Sequence, residues 1–212
     1  MLPDNIKALQ GRQRNIMGHE QAAQSAVLLP LVEVGGELSV LFEKRAPHLF
    51  RQPGEICFPG GGIEDDDDDA KATAVRETCE ELGLEAGDLE VIAPLDLLIT
   101  PFSAIVYPYV GYIRDNLRIR INPNEVEKVF YVPLEYLLHN KPLQKNLAFK
   151  MDAPEDFPYE LIPHGRQYPF RQANYPQHFY IWQEYVIWGL TALVLTHFLR
   201  LIQQPPAEPL LY

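Results

Sequence analysis

Cysteine is nearly absent from this chain. Cys57 and Cys79 are the two in 212 residues, and neither belongs to a CxxC pair, so zinc-ribbon and dithiol redox motifs are excluded. Positive charge is short as well: 18 Lys and Arg stand against 29 Asp and Glu, for a formal net charge of −11. Such a chain lacks the basic footprint that non-specific nucleic-acid binding needs, so no nucleic-acid partner is expected. An anionic small molecule remains a possible partner where cations stand between the two. Also missing is an apolar h-region near the N-terminus, because Met1–Gln24 is polar. With the scarce cysteine, this leads us to expect a cytoplasmic, reducing setting.

The 47% apolar and 22% charged residues are ordinary for a globular chain, and the length suits one domain over residues 1–212. Nineteen prolines are dispersed rather than gathered into a linker. Asp4 to about Gln24 reads as an N-terminal helical segment. "SAVLLPLVEV" and "ELSVLFEKR" read as strands joined through Gly35-Gly36, a hairpin signal. A loop then enters a short strand, Glu55–Phe58, stopped by Pro59 and glycines. A helix is expected over Ala70–Leu82, ended by a left-handed Gly83. Strands recur at "LEVIAPLDLLIT", "AIVYPYVGYI" and "KVFYVPL", with a short helix at "LEYLLHN". The closing run, Phe179–Ile202, reads as one long helix. Its portion Tyr185–Ile202 approaches a membrane span in length, but His197, Arg200 and the adjoining Glu184 favour a buried helix. Strands mixed with flanking helices give an α/β or α+β sandwich, a mixed β-sheet flanked by helices.

The densest signal is "FPGGGIEDDDDDAKATAVRETCEELGL", Phe58–Leu84. Six of the chain's negative charges sit in the run Glu64–Asp69, so the remainder is only mildly acidic. On a helical wheel Ala72, Val75, Cys79 and Leu82 form an apolar stripe. Glu77, Glu80 and Glu81 fall on roughly the opposite side at spacings of 3 and 4, as neighbours. Three glutamates on one face can simply be solvated. Two features count against that. Glu80 and Glu81 lie in the last turn, where the helix dipole disfavours acids, and Glu77 repels Glu81 at i,i+4. A divalent cation would remove both costs, and carboxylate oxygens suit Mg²⁺ or Mn²⁺. Gly60, Gly61 and Gly62 let backbone approach a ligand without a β-carbon in the way. His139, His164, His178 and His197 are scattered without metal-ligand spacing.

The stretch "RETCEELGL", Arg76–Leu84, resembles the Nudix box, whose pattern runs Gly, five residues, Glu, seven residues, then Arg-Glu-apolar-x-Glu-Glu-x-Gly-apolar. Counting back places the opening glycine at Gly62 and the first acid at Asp68. Anchoring on Gly61 and Glu64 instead lengthens the loop by one and moves that acid to Asp67. Thr78 stands where the pattern has an apolar residue. The resemblance implies a Nudix-type fold, Glu77, Glu80 and Glu81 holding metal, and Arg76 orienting the glutamates by ion pairing.

Phe42–Gly61, "FEKRAPHLFRQPGEICFPGG", is similar to the region ahead of the box in coenzyme A pyrophosphatases, and "YVIWGLTALVL" to the same subfamily's terminal helix. The implied reaction cuts the diphosphate of coenzyme A or a derivative into 3′,5′-ADP and 4′-phosphopantetheine or its acyl form. In that reading Gly60 and Gly61 admit the substrate, and Arg45 and Arg51 are candidates for its phosphates. Glu80 and Glu81 join Arg76 in catalysis, and Glu125 is the candidate general base outside the box. ADP-ribose or another nucleoside-diphosphate derivative is the alternative substrate, and a nucleotide-sensing domain without activity is the alternative class. A homodimer is open on sequence grounds; a membrane partner is not expected.

Overall fold

The chain is described by a computed structural model at residues 2–12 and 15–204. In chain order the elements are α1 (Asp4–Lys7), β1 (Ala23–Val34), β2 (Glu37–Arg45), β3 (Ile56–Cys57), β4 (Gly60–Gly62), α2 (Ala70–Leu82), β5 (Leu89–Pro94), β6 (Leu98–Ile99) and β7 (Ala104–Ile113). They continue with β8 (Val126–Pro133), α3 (Leu134–His139), β9 (Leu143–Phe149), β10 (Ala173–Trp182), β11 (Tyr185–Ile187) and α4 (Gly189–Gln203). Two compact units emerge, Met1–Glu33 with Phe58–Asn122, and Val34–Cys57 with Pro123–Tyr212.

In the first unit β1 buries Leu28, Leu29, Leu31 and Val32 without alternation, the pattern of a strand covered on both faces. It runs parallel to β7 over ten residue pairs, from Ala23↔Ala104 to Val32↔Ile113. β4 pairs with β1 antiparallel, while β5 and β6 pair antiparallel with β7, so the sheet is mixed. The short strand ahead of Pro59 does end there, at Cys57, but the glycines are more than a stop. Gly60–Gly62 themselves form β4 by pairing with β1, and the approach is so close that a β-carbon at Gly60 would run into the Ala26 carbonyl and Val27.

α2 has the expected bounds. Asp69 caps it by accepting the Ala72 N–H at 2.8 Å, and Gly83 leaves it at φ 62°. A side chain at Gly83 would collide with the Arg120 carbonyl. The buried stripe is different from the one the apolar residues suggest. Thr73, Ala74, Thr78, Glu81 and Leu82 are buried, whereas Ala72, Val75 and Cys79 are half-exposed and line an open hollow with Ala86. The wheel fails because it scores polar groups as exposed. These three have partners: Thr78 Oγ1 donates to the Ala74 carbonyl at 2.6 Å, Thr73 Oγ1 donates to Asp67 at 2.8 Å, and Glu81 accepts a backbone N–H.

In the second unit β2 pairs antiparallel with β8 and β3. Gly35 and Gly36, ahead of β2, take φ of 60° and 88°, left-handed at both positions as a tight hairpin turn requires. A separate antiparallel sheet runs β11-β10-β9. α4 packs on β10, where Thr196 Oγ1 lies 2.7 Å from His178 Nδ1 and 2.9 Å from Tyr180 Oη.

Two expectations about helices are overturned. Phe179–Ile202 is not one helix: β10 and β11 form a hairpin closed by Trp182↔Tyr185, with Gln183 at φ 53°, and α4 starts only at Gly189. Aromatic and β-branched residues on both sides of a two-residue turn favour this pairing. At the N-terminus α1 covers only Asp4–Lys7, a separate 3₁₀ turn spans His19–Gln21, and β1 has already begun at Ala23. Residues 13–14 of that expected helix lie outside the described residues. No described helix is long and apolar enough to cross a membrane.

Candidate functional site

The site grows from the junction of β4 and α2. The Gly60 N–H donates to Glu81 Oε2 at 2.9 Å, so a backbone amide faces a carboxylate that is 3% exposed. At Gly61 a β-carbon would occupy the space of the Glu77 carboxylate, which explains why this position carries no side chain. The end of α2 is anchored by the returning chain, with Arg120 N–H donating to the Leu82 carbonyl and Asn122 N–H to that of Glu81, both at 2.8 Å. Carbonyls of a last helical turn lack intrahelical partners, and these bonds supply them.

Arg76 is the hub. Its Nε and Nη2 each reach an oxygen of Asp67 at 3.0 Å, a bidentate fork. Its Nη1 donates to Glu77 Oε1 at 2.9 Å and to Glu80 Oε2 at 3.4 Å. Asp67 also accepts the Glu64 N–H at 3.0 Å. The Arg76 hydrogen bond, then that of the Glu64 amide, holds the Asp67 carboxyl far below the usual carboxylate range. Of the two loop frames, then, Arg76 pairs with Asp67, and Asp68 is exposed. Thr73 was missed by sequence reasoning. Its signal was a hydroxyl one turn into α2, facing back towards the loop acid.

Gly60, Gly61, Arg76, Glu77, Glu80 and Glu81 are thus brought together in the first unit. The three glutamates share the helix but do not converge: among the described residues, no three Asp, Glu, His or Cys side chains gather as a metal cluster. Instead Arg76 neutralises Glu77, the Gly60 amide faces Glu81, and Glu80 has a side chain 53% exposed. The donor chemistry still fits Mg²⁺ or Mn²⁺, since all three offer hard carboxylate oxygens.

In the second unit Arg45 ends β2 at a register shift in its pairing with β8, opposite Val126. The Ala46 N–H donates to the Glu125 carbonyl at 2.8 Å, so Arg45 and Glu125 come from adjoining strand ends. Arg45 Nε is buried with no hydrogen-bond partner among the described residues. Arg51 is exposed, next to a fully exposed Phe50. Glu127 is taken by Lys44 at 2.8 Å.

Residues 22–151 match the model of the NUDIX domain. The chain is 42% identical over 121 residues to the mouse protein named peroxisomal coenzyme A diphosphatase NUDT7, an alignment covering 57% of this chain and 51% of that one. It is 32% identical to Nudix hydrolase 3 of Caenorhabditis elegans, over 93% of this chain and 82% of the relative. It is also 32% identical to Nudix hydrolase 15, mitochondrial, of Arabidopsis thaliana, over 87% of this chain and 60% of the relative. The chain therefore spans about half the mouse protein's length. With the domain match covering most of the chain and the box residues gathered around Arg76, this protein belongs to the Nudix hydrolase family.

Proposed function

We propose that the protein hydrolyses the diphosphate of coenzyme A or an acyl derivative, releasing 3′,5′-ADP and 4′-phosphopantetheine or its acyl form. The observation that carries this reading is the Arg76 hub, with its fork on Asp67 and a third nitrogen on Glu77, beside the Gly60–Glu81 contact. The mouse relative's name and the Phe42–Gly61 segment support coenzyme A over other nucleoside diphosphates.

Nudix hydrolases are generally dependent on divalent metals. Glu77, Glu80 and Glu81 would hold Mg²⁺ or Mn²⁺, which when bound supplies Lewis-acid neutralisation of the diphosphate charge. Arg76 keeps the helix carboxylates oriented, and the fork on Asp67 fixes Arg76 itself. In this reading Gly60 and Gly61 set the β4 backbone against the Glu81 and Glu77 carboxylates, beside which the substrate phosphates bind. Arg45 and Arg51 contribute guanidinium donors for substrate phosphate, and the buried, unpaired Nε of Arg45 is consistent with such a task. Glu125, from the strand end beside Arg45, is the proposed general base for the attacking water.

The test is hydrolysis of coenzyme A and ADP-ribose side by side with Mg²⁺ or Mn²⁺, products resolved by chromatography. Formation of 3′,5′-ADP from coenzyme A is the expected result. Cleavage of ADP-ribose alone would move the substrate assignment, and inactivity on both would favour a nucleotide-sensing domain. Near-normal turnover by Glu125→Gln would remove Glu125 from the mechanism.

A further inference from the structure

The β11-β10-β9 sheet of the second unit has one covered face and one open edge. His178 and Tyr180 point from β10 to Thr196 of α4, so α4 covers that face. Strand side chains alternate between faces, which puts Phe179 and Ile181 on the other side. The register Phe179↔Leu143, Tyr175↔Leu147 and Ala173↔Phe149 adds Leu143, Leu147 and Phe149 of β9 to it. Leu143 is 54% exposed, Leu147 53% and Ile181 56%. β9 pairs with β10 alone among the described strands, and six of its seven residues are exposed. An open edge of this kind is a template for pairing with another chain, and proteins commonly guard it with several charges, proline or a bulge. β9, "LQKNLAF", has neither proline nor a break in its register, and Lys145 is its one charge.

We propose that the outer edge of β9 pairs with β9 of a second copy of this chain, antiparallel about Asn146. The strand's own sequence selects that centre. Pairing about Asn146 uses all seven residues and sets Leu143 opposite the second copy's Phe149, and Lys145 opposite the second copy's Leu147. A centre at Lys145 would set two ammonium groups against each other, which directly opposed strand positions do not favour. In the proposed register the Lys145 stem lies along the second copy's Leu147 while its ammonium reaches water. The two-fold makes each contact occur twice, as an isologous interface requires. The exposed leucines of the two copies then adjoin across the new strand pair.

The experiment is sedimentation velocity of the full chain at tens of micromolar, with far-UV circular dichroism and thermal melting as folding controls. Wild type is expected at twice the chain mass. Leu147→Lys sets an ammonium opposite Lys145 of the second copy at both symmetric contacts and weakens the dimer about tenfold or more. Leu147→Glu, equally polar at the same exposed site, sets an opposite charge there and keeps dimer affinity within about threefold of wild type. Adding Lys145→Glu to Leu147→Lys restores the dimer. A monomeric wild type overturns the proposal. So does an equal response to the Lys and Glu variants, whether both lose the dimer or both keep it, because the proposed register sets residue 147 opposite Lys145 of the second copy.

Discussion

Helices α2 and α4 have 13 and 15 residues, yet they bury opposite kinds of side chain. α4 buries Ala192, Val194, Leu195, Phe198 and Leu199 and has no side-chain cap at its start. α2 buries two threonines and a glutamate beside Ala74 and Leu82, and is capped at both ends by Asp69 and Gly83. An apolar face needs only shape and area to be stable, whereas each buried polar group needs a partner. α2 therefore depends on particular atoms elsewhere: the Gly60 amide and the Asp67 carboxylate. The helix that is harder to bury is the one that carries the proposed chemistry. α4 supplies packing.

If that contrast holds, substitutions in the two helices should separate activity from stability. Glu81→Gln keeps an acceptor for the Gly60 N–H but removes the charge, and is expected to lower kcat by about a hundredfold or more at little cost in Tm. Substrate turnover and melting measured on the same preparation check this, and retained activity would break the comparison. Leu195→Ala, at a fully buried position of α4, should cost about 2–5 kcal/mol in urea unfolding while leaving kcat/KM of the folded fraction unchanged.

Asp67→Asn tests the loop clamp through pH. The folded Asp67 carboxyl titrates below its ordinary value of 3.8, so its charged form is favoured by folding. Its contribution is present above that value and is lost as pH falls through the depressed folded value. Wild type should therefore out-melt Asp67→Asn at neutral pH, with the gap closing progressively below about pH 4. A gap independent of pH would mean the Arg76 fork does not act through charge. The smallest effect is expected from Asp69→Ala, which removes the N-cap and should cost about 1 kcal/mol by chemical denaturation, with kcat nearly unchanged.

Legibility in the sequence followed the range of the interaction that decided each feature. The bounds of α2 were readable because Asp69 and Gly83 act on their immediate neighbours. The β10–β11 hairpin was not, since an uninterrupted aromatic and aliphatic run has no period that separates strand from helix. Nor was the buried face of α2, because Thr73 and Glu81 are buried by virtue of partners supplied from other segments. The same holds for the loop acid. Spacing from the box left Asp67 and Asp68 as candidates, and only the reach of Arg76 singles out Asp67.

The sequence by itself determined the family, the helix that carries the three glutamates, and the glycines that precede it. Those features rest on local spacing and on residue chemistry that no other segment alters. Tertiary structure decided which acid Arg76 takes, which face of α2 is buried, that the glycines pair as a strand, and that β9 ends its sheet with an open edge. Each depends on a hydrogen-bond partner or a neighbouring strand brought from elsewhere in the chain, and spacing along a sequence does not encode which distant groups will arrive.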